Sequence, residues 1–277
     1  MKDFMAPAGA EISIIPVVQG DGMFTVNDSE LPDTLPILAL RNAVLFPGAL
    51  YPVTIGREKS IKLIQDAEEH NTFIGAVPQL DINVEDPRKE DLYEYGTVAK
   101  IIRTLEMPDG TLTAILQGFK RFAIDSITEY EPYMLGRVHF INDIAPDSDD
   151  KNARIIAETL KEKAVSILRY MSMTPKEAMT ALKSIDNFEF LVNFIATMIE
   201  IDNFSEKVQL LQYEDLKTRA MKLLSALDTQ LELLKIKQDI NQKVKTEIDQ
   251  QQREYYLNNQ LRTIQEELGM DDMEELD

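Results

Sequence analysis

The first half of the fold is decided by residues 96–117, which read GTVAKIIRTLEMPDGTLTAILQ. Two β-rich runs, Gly96–Leu105 and Thr111–Gln117, flank the segment Met107-Pro108-Asp109-Gly110. An Asp-Gly pair tolerates the positive φ of a tight hairpin, so this segment predicts a turn between two paired strands. The surrounding sequence should therefore form a β domain.

Short β-rich runs continue on both sides of this hairpin. They are Leu35–Leu40, Leu50–Ile55, Phe73–Val77, Arg121–Ile127 and Tyr133–Ile141. One amphipathic helix, Arg57–His70, and one long acidic loop, Leu80–Tyr95, interrupt them. Seven short strands separated by turns predict a closed or sandwiched β domain.

The sequence changes character near residue 145. The polar, acidic segment Ala145–Asp150 is typical of a linker, and glycine becomes scarce after it. The apolar period is then helical. We expect helices over 152–172, after the capping box at Thr174–Glu177, over 188–199 with a cap from Asp186 and Glu189, and over 205–212.

A single long helix is predicted from Asp215 to Leu268, because this range contains no proline and no glycine. Its apolar residues step by four and three up to Leu234, then by four from Ile236 to Ile248. The middle of the helix is very polar. A lone helix of this composition needs partners or other subunits to stay ordered.

Composition excludes several classes of function. The net charge is −19, which repels nucleic-acid phosphates and anionic lipid. There are no cysteines and only two histidines, so thiolate chemistry is excluded and a histidine-rich zinc site is not expected. No apolar run is long enough to cross a bilayer. We expect a soluble, cytoplasmic protein with no membrane partner.

Motifs of catalysis are missing from the chain. No Gly-Lys dipeptide, and hence no P-loop, occurs, and neither Gly-x-Ser-x-Gly nor His-Glu-x-x-His is present. We therefore predict no catalytic, cofactor-binding or metal-ligating residue. Binding is the function class that remains.

Four segments carry a resemblance to a known family. Residues 36–48, PILALRNAVLFPG, and residues 56–60, GREKS, resemble the start of the N-terminal domain of Lon proteases. Near the other end, residues 252–261, QREYYLNNQL, and 264–269, IQEELG, resemble the long-helix signature of that family. The matches stand in the expected order and cover the chain from about Leu35 to Gly269.

This resemblance implies an α+β architecture. A PUA-like β pseudo-barrel with one helix would precede an all-α bundle that ends in a long, coiled-coil-like helix. We expect a flexible tail over 1–33, the β domain over 34–145, the helical bundle over 151–212, the long helix over 213–269 and an acidic tail over 270–277.

The resemblance also implies a role within a longer protein. An AAA+ ATPase and a protease with a Ser–Lys dyad would follow Asp277, so ATP and Mg would belong to that absent module. The chain would be the non-catalytic recognition and assembly region of a hexameric, ATP-dependent protease. Its partners would be misfolded, damaged or degron-bearing proteins.

Candidate client contacts are large apolar residues in loop-like or polar surroundings, where burial is not assured. They are Phe46, Leu50, Tyr51, Met171, Met173, Ile248 and Tyr255. For those in the β domain and at the helix junction, the competing interpretation is ordinary core packing. For Ile248 and Tyr255, which lie seven residues apart on one helix face, it is an oligomer contact.

Two alternative functions stay open at this stage. The long helix could serve mainly as a structural scaffold that assembles or spaces subunits. A PUA-like fold could also bind nucleic acid, but the charge of −19 makes that partner unlikely.

The missing motifs give a first prediction. The purified chain should hydrolyse neither ATP nor casein, because it has no phosphate-binding loop and no nucleophile–base pair. Phosphate release and fluorescent casein cleavage measure this directly. ATP turnover that a point mutation within the chain abolishes would contradict it.

Overall fold

The computed structural model describes residues 31–108, 110–170 and 176–267. The first part contains six strands and one helix: β1 (Thr34–Leu40), β2 (Leu50–Ile55), α1 (Glu58–Glu69), β3 (Ile74–Pro78), β4 (Tyr95–Glu106), β5 (Leu112–Glu129) and β6 (Leu135–Phe140). The second part is helical: α2 (Lys151–Tyr170), α3 (Lys176–Lys183), α4 (Phe188–Met198), α5 (Phe204–Gln209) and α6 (Leu216–Glu267). The predicted α+β class is confirmed.

The strands form one sheet that closes on itself. Their order is β2-β5-β4-β3-β1-β6, and β6 pairs with β5 as well as with β1. The pair β1–β3 is parallel, and the other pairs are antiparallel. Closure leaves β2 as a strand that is paired on one side, with β5, among the described residues.

Strand β5 corrects the predicted strand count. It runs through Gly118 without a break, so the predicted runs Thr111–Gln117 and Arg121–Ile127 are one strand. Gly118 serves close packing here, because a Cβ at this position would lie 2.4 Å from the carbonyl oxygen of Phe46. The glycine therefore marks a close backbone approach and not a turn.

Two apolar clusters fill the β domain. One lies under α1 and joins Leu63 and Ile64 to Leu38 and Leu116. The other surrounds Phe122 on β5. Because neighbouring side chains of a strand point to opposite faces, β1 contributes to both clusters.

The start of α4 corrects a predicted cap. Asn187, and not Asp186, is the N-cap, and its side chain accepts the N–H of Phe190 at 2.8 Å. Glu189 takes no part in a reciprocal cap. Burial and the nearby carboxylate of Asp143 raise the pKa of Glu189. The capping box predicted from Thr174 and Pro175 lies outside the described residues.

A buried charge network joins the barrel to the helices. Arg121 of β5 and Arg219 of α6 both donate to the carboxylate of Asp143, which follows β6. Arg121 also donates to the carbonyl of Leu211, and Arg219 Nε donates to the carbonyl of Tyr213 at 3.1 Å. Both guanidinium side chains are 1% exposed and the carboxylate is 12% exposed. We refer to Arg121, Asp143 and Arg219 as the buried triad.

Hydrogen bonds fix the chain at both ends of the predicted linker Ala145–Asp150. The Ile144 N–H donates to the Glu214 carbonyl at 2.9 Å, and the Leu216 N–H donates to the Ile144 carbonyl at 3.1 Å. Farther on, Asp150 accepts the N–H groups of Asn152 and Ala153 at the start of α2. The described residues up to Gln230 form one compact unit, and Leu231–Glu267 belong to a second. Separate folding of the β and helical parts stays a prediction.

Removal of the shared carboxylate should destabilise the first unit strongly. Asp143→Ala leaves two buried guanidinium groups without their common acceptor, and breaking a buried ion pair costs about 3–5 kcal/mol. Urea unfolding measures the loss. The matched control is Asp149→Ala, whose carboxylate is 98% exposed and 3.7 Å from Arg154. Equal stability of the two variants would contradict the structural role of the triad.

A half-buried lysine, Lys207 of α5, makes stability depend on pH. Its Nζ donates to the carbonyl of Ile199 at 3.1 Å, and burial lowers the pKa of this lysine to about 8, against the opposing charge of Glu200. In the unfolded chain a lysine titrates near 10.4. Between these values the unfolded state binds more protons, so the free energy of unfolding rises with pH.

Lys207→Met should remove this dependence. From pH 8 to about 10.4 the wild-type chain should gain up to ~3 kcal/mol in unfolding free energy relative to the variant. Urea titrations at several pH values give the difference. Lys222→Met, which changes an exposed lysine of α6, should follow the wild-type curve. Parallel curves for wild type and Lys207→Met would refute the assignment.

Candidate functional site

The tip of the β4–β5 hairpin is a defined turn that presents apolar side chains. The Met107 N–H donates to the Thr111 carbonyl at 2.8 Å, and the Gly110 N–H donates to the Met107 carbonyl at 3.0 Å. Gly110 has a φ of +83°, which a glycine adopts without strain. The predicted turn is confirmed at these described positions.

Three large apolar residues of this hairpin are exposed: Ile102, Leu105 and Met107. Ile102 is the extra residue of a β-bulge, since Ile101 pairs with Leu116 while Arg103 pairs with Ile115. A bulge redirects the side chain that it inserts. We call these three residues the hairpin surface.

A side-chain hydrogen bond fixes the hairpin to the barrel. The hydroxyl of Thr104 donates to the carboxylate of Glu68 near the end of α1, at 2.8 and 3.0 Å to the two oxygens. This hydrogen bond helps to hold the strands that carry the hairpin surface in place. The apolar side chains of that surface face solvent without any rearrangement of the core.

The structure corrects the expectation for Phe46. Its side chain is fully buried, because the loop from Ala43 to Ala49 folds onto the barrel. The Thr97 hydroxyl donates to the Leu45 carbonyl at 2.6 Å, and Gly118 packs against the Phe46 backbone. Phe46 is therefore a core residue, and its ring is not available to a client.

The other predicted residues of the first unit differ in exposure. Leu50 and Tyr51 lie on β2 and are half-buried. Tyr51 packs against the cluster under α1, and burial together with Glu200 raises the pKa of its phenol. Met171 and Met173 lie outside the described residues.

In the second unit, the described part of α6 exposes its apolar side chains. All residues from Lys235 to Glu267 are exposed. Ile248 is 48% exposed and Tyr255 is 70% exposed, so both predicted positions are accessible within this unit. The other large apolar residues in the same condition are Ile236, Ile240, Val244, Tyr256, Leu257, Leu261 and Ile264. We call Ile248, Tyr255 and these seven residues together the helix stripe.

Sequence reasoning missed the hairpin surface. The available signal was the pair Ile101-Ile102 inside a strand, since two adjacent residues cannot both face one core. Leu80 and Ile82, at the start of the acidic loop, are exposed apolar residues that it also missed. Isolated exposed residues of this kind are common on protein surfaces.

Two classes of site are absent from the described residues. Across 31–108, 110–170 and 176–267, no group of three His, Asp or Glu side chains could hold a metal ion. No helix in those ranges has the length and apolar character needed to span a membrane.

Comparison with known proteins shows which family this chain resembles. The model of the ATP-dependent protease La (LON) substrate-binding domain matches residues 34–229. A curated Lon protease of Flavobacterium johnsoniae is 44% identical over 260 residues, which are 94% of this chain and 32% of that protein. A Lon protease of Parabacteroides distasonis is 41% identical over 261 residues, again 94% of this chain and 32% of the relative.

A solved structure is similar in fold. The N-terminal domain of a Mycobacterium avium complex Lon protease superposes with a TM-score of 0.57 at 16% identity, covering 70% of this chain and 98% of that one. The chain spans about a third of the length of the curated relatives that it matches.

Proposed function

Because the chain belongs to the family of Lon substrate-binding domains, we propose that it recognises unfolded or misfolded proteins through exposed apolar side chains. The observation that carries this proposal is the exposure of large apolar residues on a positioned turn, the hairpin surface, and along the helix stripe. Exposed apolar side chains that gather in one place mark interaction surfaces.

The chemistry of these surfaces favours unfolded clients. Apolar segments are buried in native proteins and exposed in unfolded ones, so an apolar surface selects by folding state. The side chains of Leu105, Met107 and Ile248 form no directional hydrogen bonds, so they do not require one particular client sequence. Each contact should be weak, and affinity should rise when several contacts engage one client chain.

We extend the proposal to the longer protein that the relatives suggest. In that protein this region would deliver clients to an ATP-dependent serine protease that degrades misfolded, damaged or degron-bearing proteins in the cytoplasm. ATP and Mg would act in its AAA+ module, outside these residues, and the assembly would be a hexamer. The alignment with a Lon protease over 94% of this chain supports this role in a longer protein.

A second function, subunit assembly, has its own supporting observation. No side chain from Lys235 to Glu267 is buried within the described residues, although isolated helices of polar composition are marginal in water. Contact with other copies would cover the helix stripe and stabilise this helix. Assembly and client binding make different predictions for the same substitutions.

Paired substitutions test the two surfaces. Leu105→Ser with Met107→Ser, and Ile248→Ser with Tyr255→Ala, should each weaken binding of a labelled unfolded polypeptide by about three- to tenfold. The thermal midpoint should change little, because these side chains are exposed. Fluorescence anisotropy gives the affinity and differential scanning calorimetry the midpoint.

Polar neighbours serve as controls. Glu106→Gln on the hairpin and Gln251→Ala on the helix should bind like wild type. A changed sedimentation coefficient with unchanged client affinity in the helix variant would assign the stripe to assembly. Wild-type affinity in both double variants would overturn the client-binding proposal.

A further inference from the structure

A cleft beside α1 is separate from the hairpin surface and the helix stripe. Its volume is about 400 Å³, within the range of ligand sites. Apolar and aromatic residues form much of its lining: Ile37, Ala39, Leu63, Met134, Tyr130 and Tyr133. An adjoining cleft shares Ala39, Arg57 and Ser60 with it, so the two form one continuous depression around Arg57. We call it the α1 cleft.

Three cations converge on the α1 cleft. Arg41 follows β1, Arg57 directly precedes α1, and Lys59 lies in the first turn of that helix. Arg57 and Lys59 are close in sequence, and the fold brings Arg41, from the end of β1, close enough to act on the charge of Arg57. This chain is strongly acidic, with a net charge of −19, so a local group of three cations is a distinct feature of its surface.

Acidic side chains of the protein itself form ion pairs with Arg41 and Lys59. Arg41 contacts Glu85 at 2.8 Å, and Lys59 contacts Asp86 at 3.1 Å. Lys59 also contacts Glu131 at 2.7 Å. The two cationic side chains are 40% and 36% exposed, whereas the acidic ones are 66–78% exposed. The cations therefore belong to the wall of the cleft, and the carboxylates reach them from the solvent side.

Exchange of these carboxylates for others should cost little. Ion pairs with such exposed acids contribute little net free energy, because water and salt screen them. Arg57 donates through Nη2 to the Gln79 side chain at 2.6 Å and to the Val84 carbonyl at 3.1 Å. Its buried Nε has no hydrogen-bond partner in the described part of the chain. Burial and the charge of Arg41 lower the pKa of Arg57, and the carboxylates of Glu85 and Asp86 oppose this shift.

From this geometry we infer that the α1 cleft binds a polypeptide segment in which a carboxylate stands beside a large apolar side chain. The carboxylate takes the place of Glu85 or Asp86 on Arg41 and Lys59, and the apolar side chain enters the lining between Leu63, Tyr133 and Met134. The segment Glu85-Asp86 is then an internal competitor that keeps the cleft selective. This inference rests on the proposed recognition of client polypeptides.

The cleft would add a sequence preference to a surface that selects by folding state. The net charge of the chain slows the approach of acidic clients at long range. That field falls off within about 10 Å at moderate salt. Contacts made at the cleft therefore depend on its own charges, which are the cations and the acids paired with them. The two effects act at different distances and do not conflict.

Label-free calorimetry with short synthetic peptides tests the inference in the intact chain. The first peptide has leucine and phenylalanine followed by glutamate and an amidated end. The second peptide has glutamine in place of glutamate and keeps the amidated end. The third peptide contains glutamine and no glutamate, and it ends in phenylalanine with a free terminal carboxylate. Binding of the first alone assigns a side-chain carboxylate, and binding of the third alone assigns a chain terminus. If the second peptide binds as tightly as the peptides that carry a carboxylate, the proposed role of the anion is wrong.

Two double variants should shift the affinity for the carboxylate peptide in opposite directions. Arg41→Gln with Lys59→Gln should weaken it by about two- to fivefold, because contacts with cations that are 40% and 36% exposed are partly screened by water. Glu85→Gln with Asp86→Asn should tighten it by a similar factor, because two internal competitors are gone and Glu131 alone still pairs with Lys59. Arg154→Gln, which removes an exposed cation outside the cleft, should bind like wild type. Thermal midpoints of all variants show that they are folded.

The outcomes separate this inference from the proposed function. Weaker binding by the Glu85→Gln, Asp86→Asn variant, or no change in either cleft variant, would overturn the inference. If an unfolded protein still binds through the hairpin surface in that case, client recognition stands without the cleft. If no unfolded protein binds the wild-type chain at all, the proposed function itself fails.

Discussion

The first compact unit depends on a single shared carboxylate. Asp143 accepts hydrogen bonds from Arg121 of the barrel and from Arg219 of α6, and all three side chains are largely removed from water. Two like charges can be buried together only if an opposite charge and fixed carbonyl groups compensate them. The carbonyls of Leu211 and Tyr213 supply that compensation, so the segments that carry Arg121, Asp143 and residues 211–219 must keep one arrangement.

This constraint explains why the hairpin surface can stay exposed. The triad, the closed sheet and the packing of α1 hold the barrel rigid, and rigid supports allow apolar side chains to stay exposed without collapse. The hairpin surface projects from the longest strand pair, at the tip of β4 and β5. Loops and turns that a rigid scaffold positions are common places for binding residues.

Under the proposed function and the inference drawn from the α1 cleft, two kinds of recognition chemistry would coexist in one acidic chain. Exposed apolar residues would respond to whether a client is unfolded, whereas the α1 cleft would join apolar contact with a charge. Arg41 and Lys59 are already paired with acids of the same chain, which would limit unselective anion binding. Family membership accounts for a role in substrate binding, and the cleft would give that role chemical preference.

The sequence by itself determined the local structure, because period and turn chemistry are local properties. The change from β-rich runs to a helical period, the Asp-Gly turn and the proline-free range after Asp215 predicted the β domain, the hairpin and the long helix. Tertiary structure alone decided which apolar residues are buried. Phe46 and Leu105 look alike in sequence, but the loop of Phe46 packs on Gly118 while a bulged strand carries Leu105 into solvent. The meeting of Arg121, Asp143 and Arg219 was equally hidden, because long-range contacts between charges leave no periodic signal in the chain.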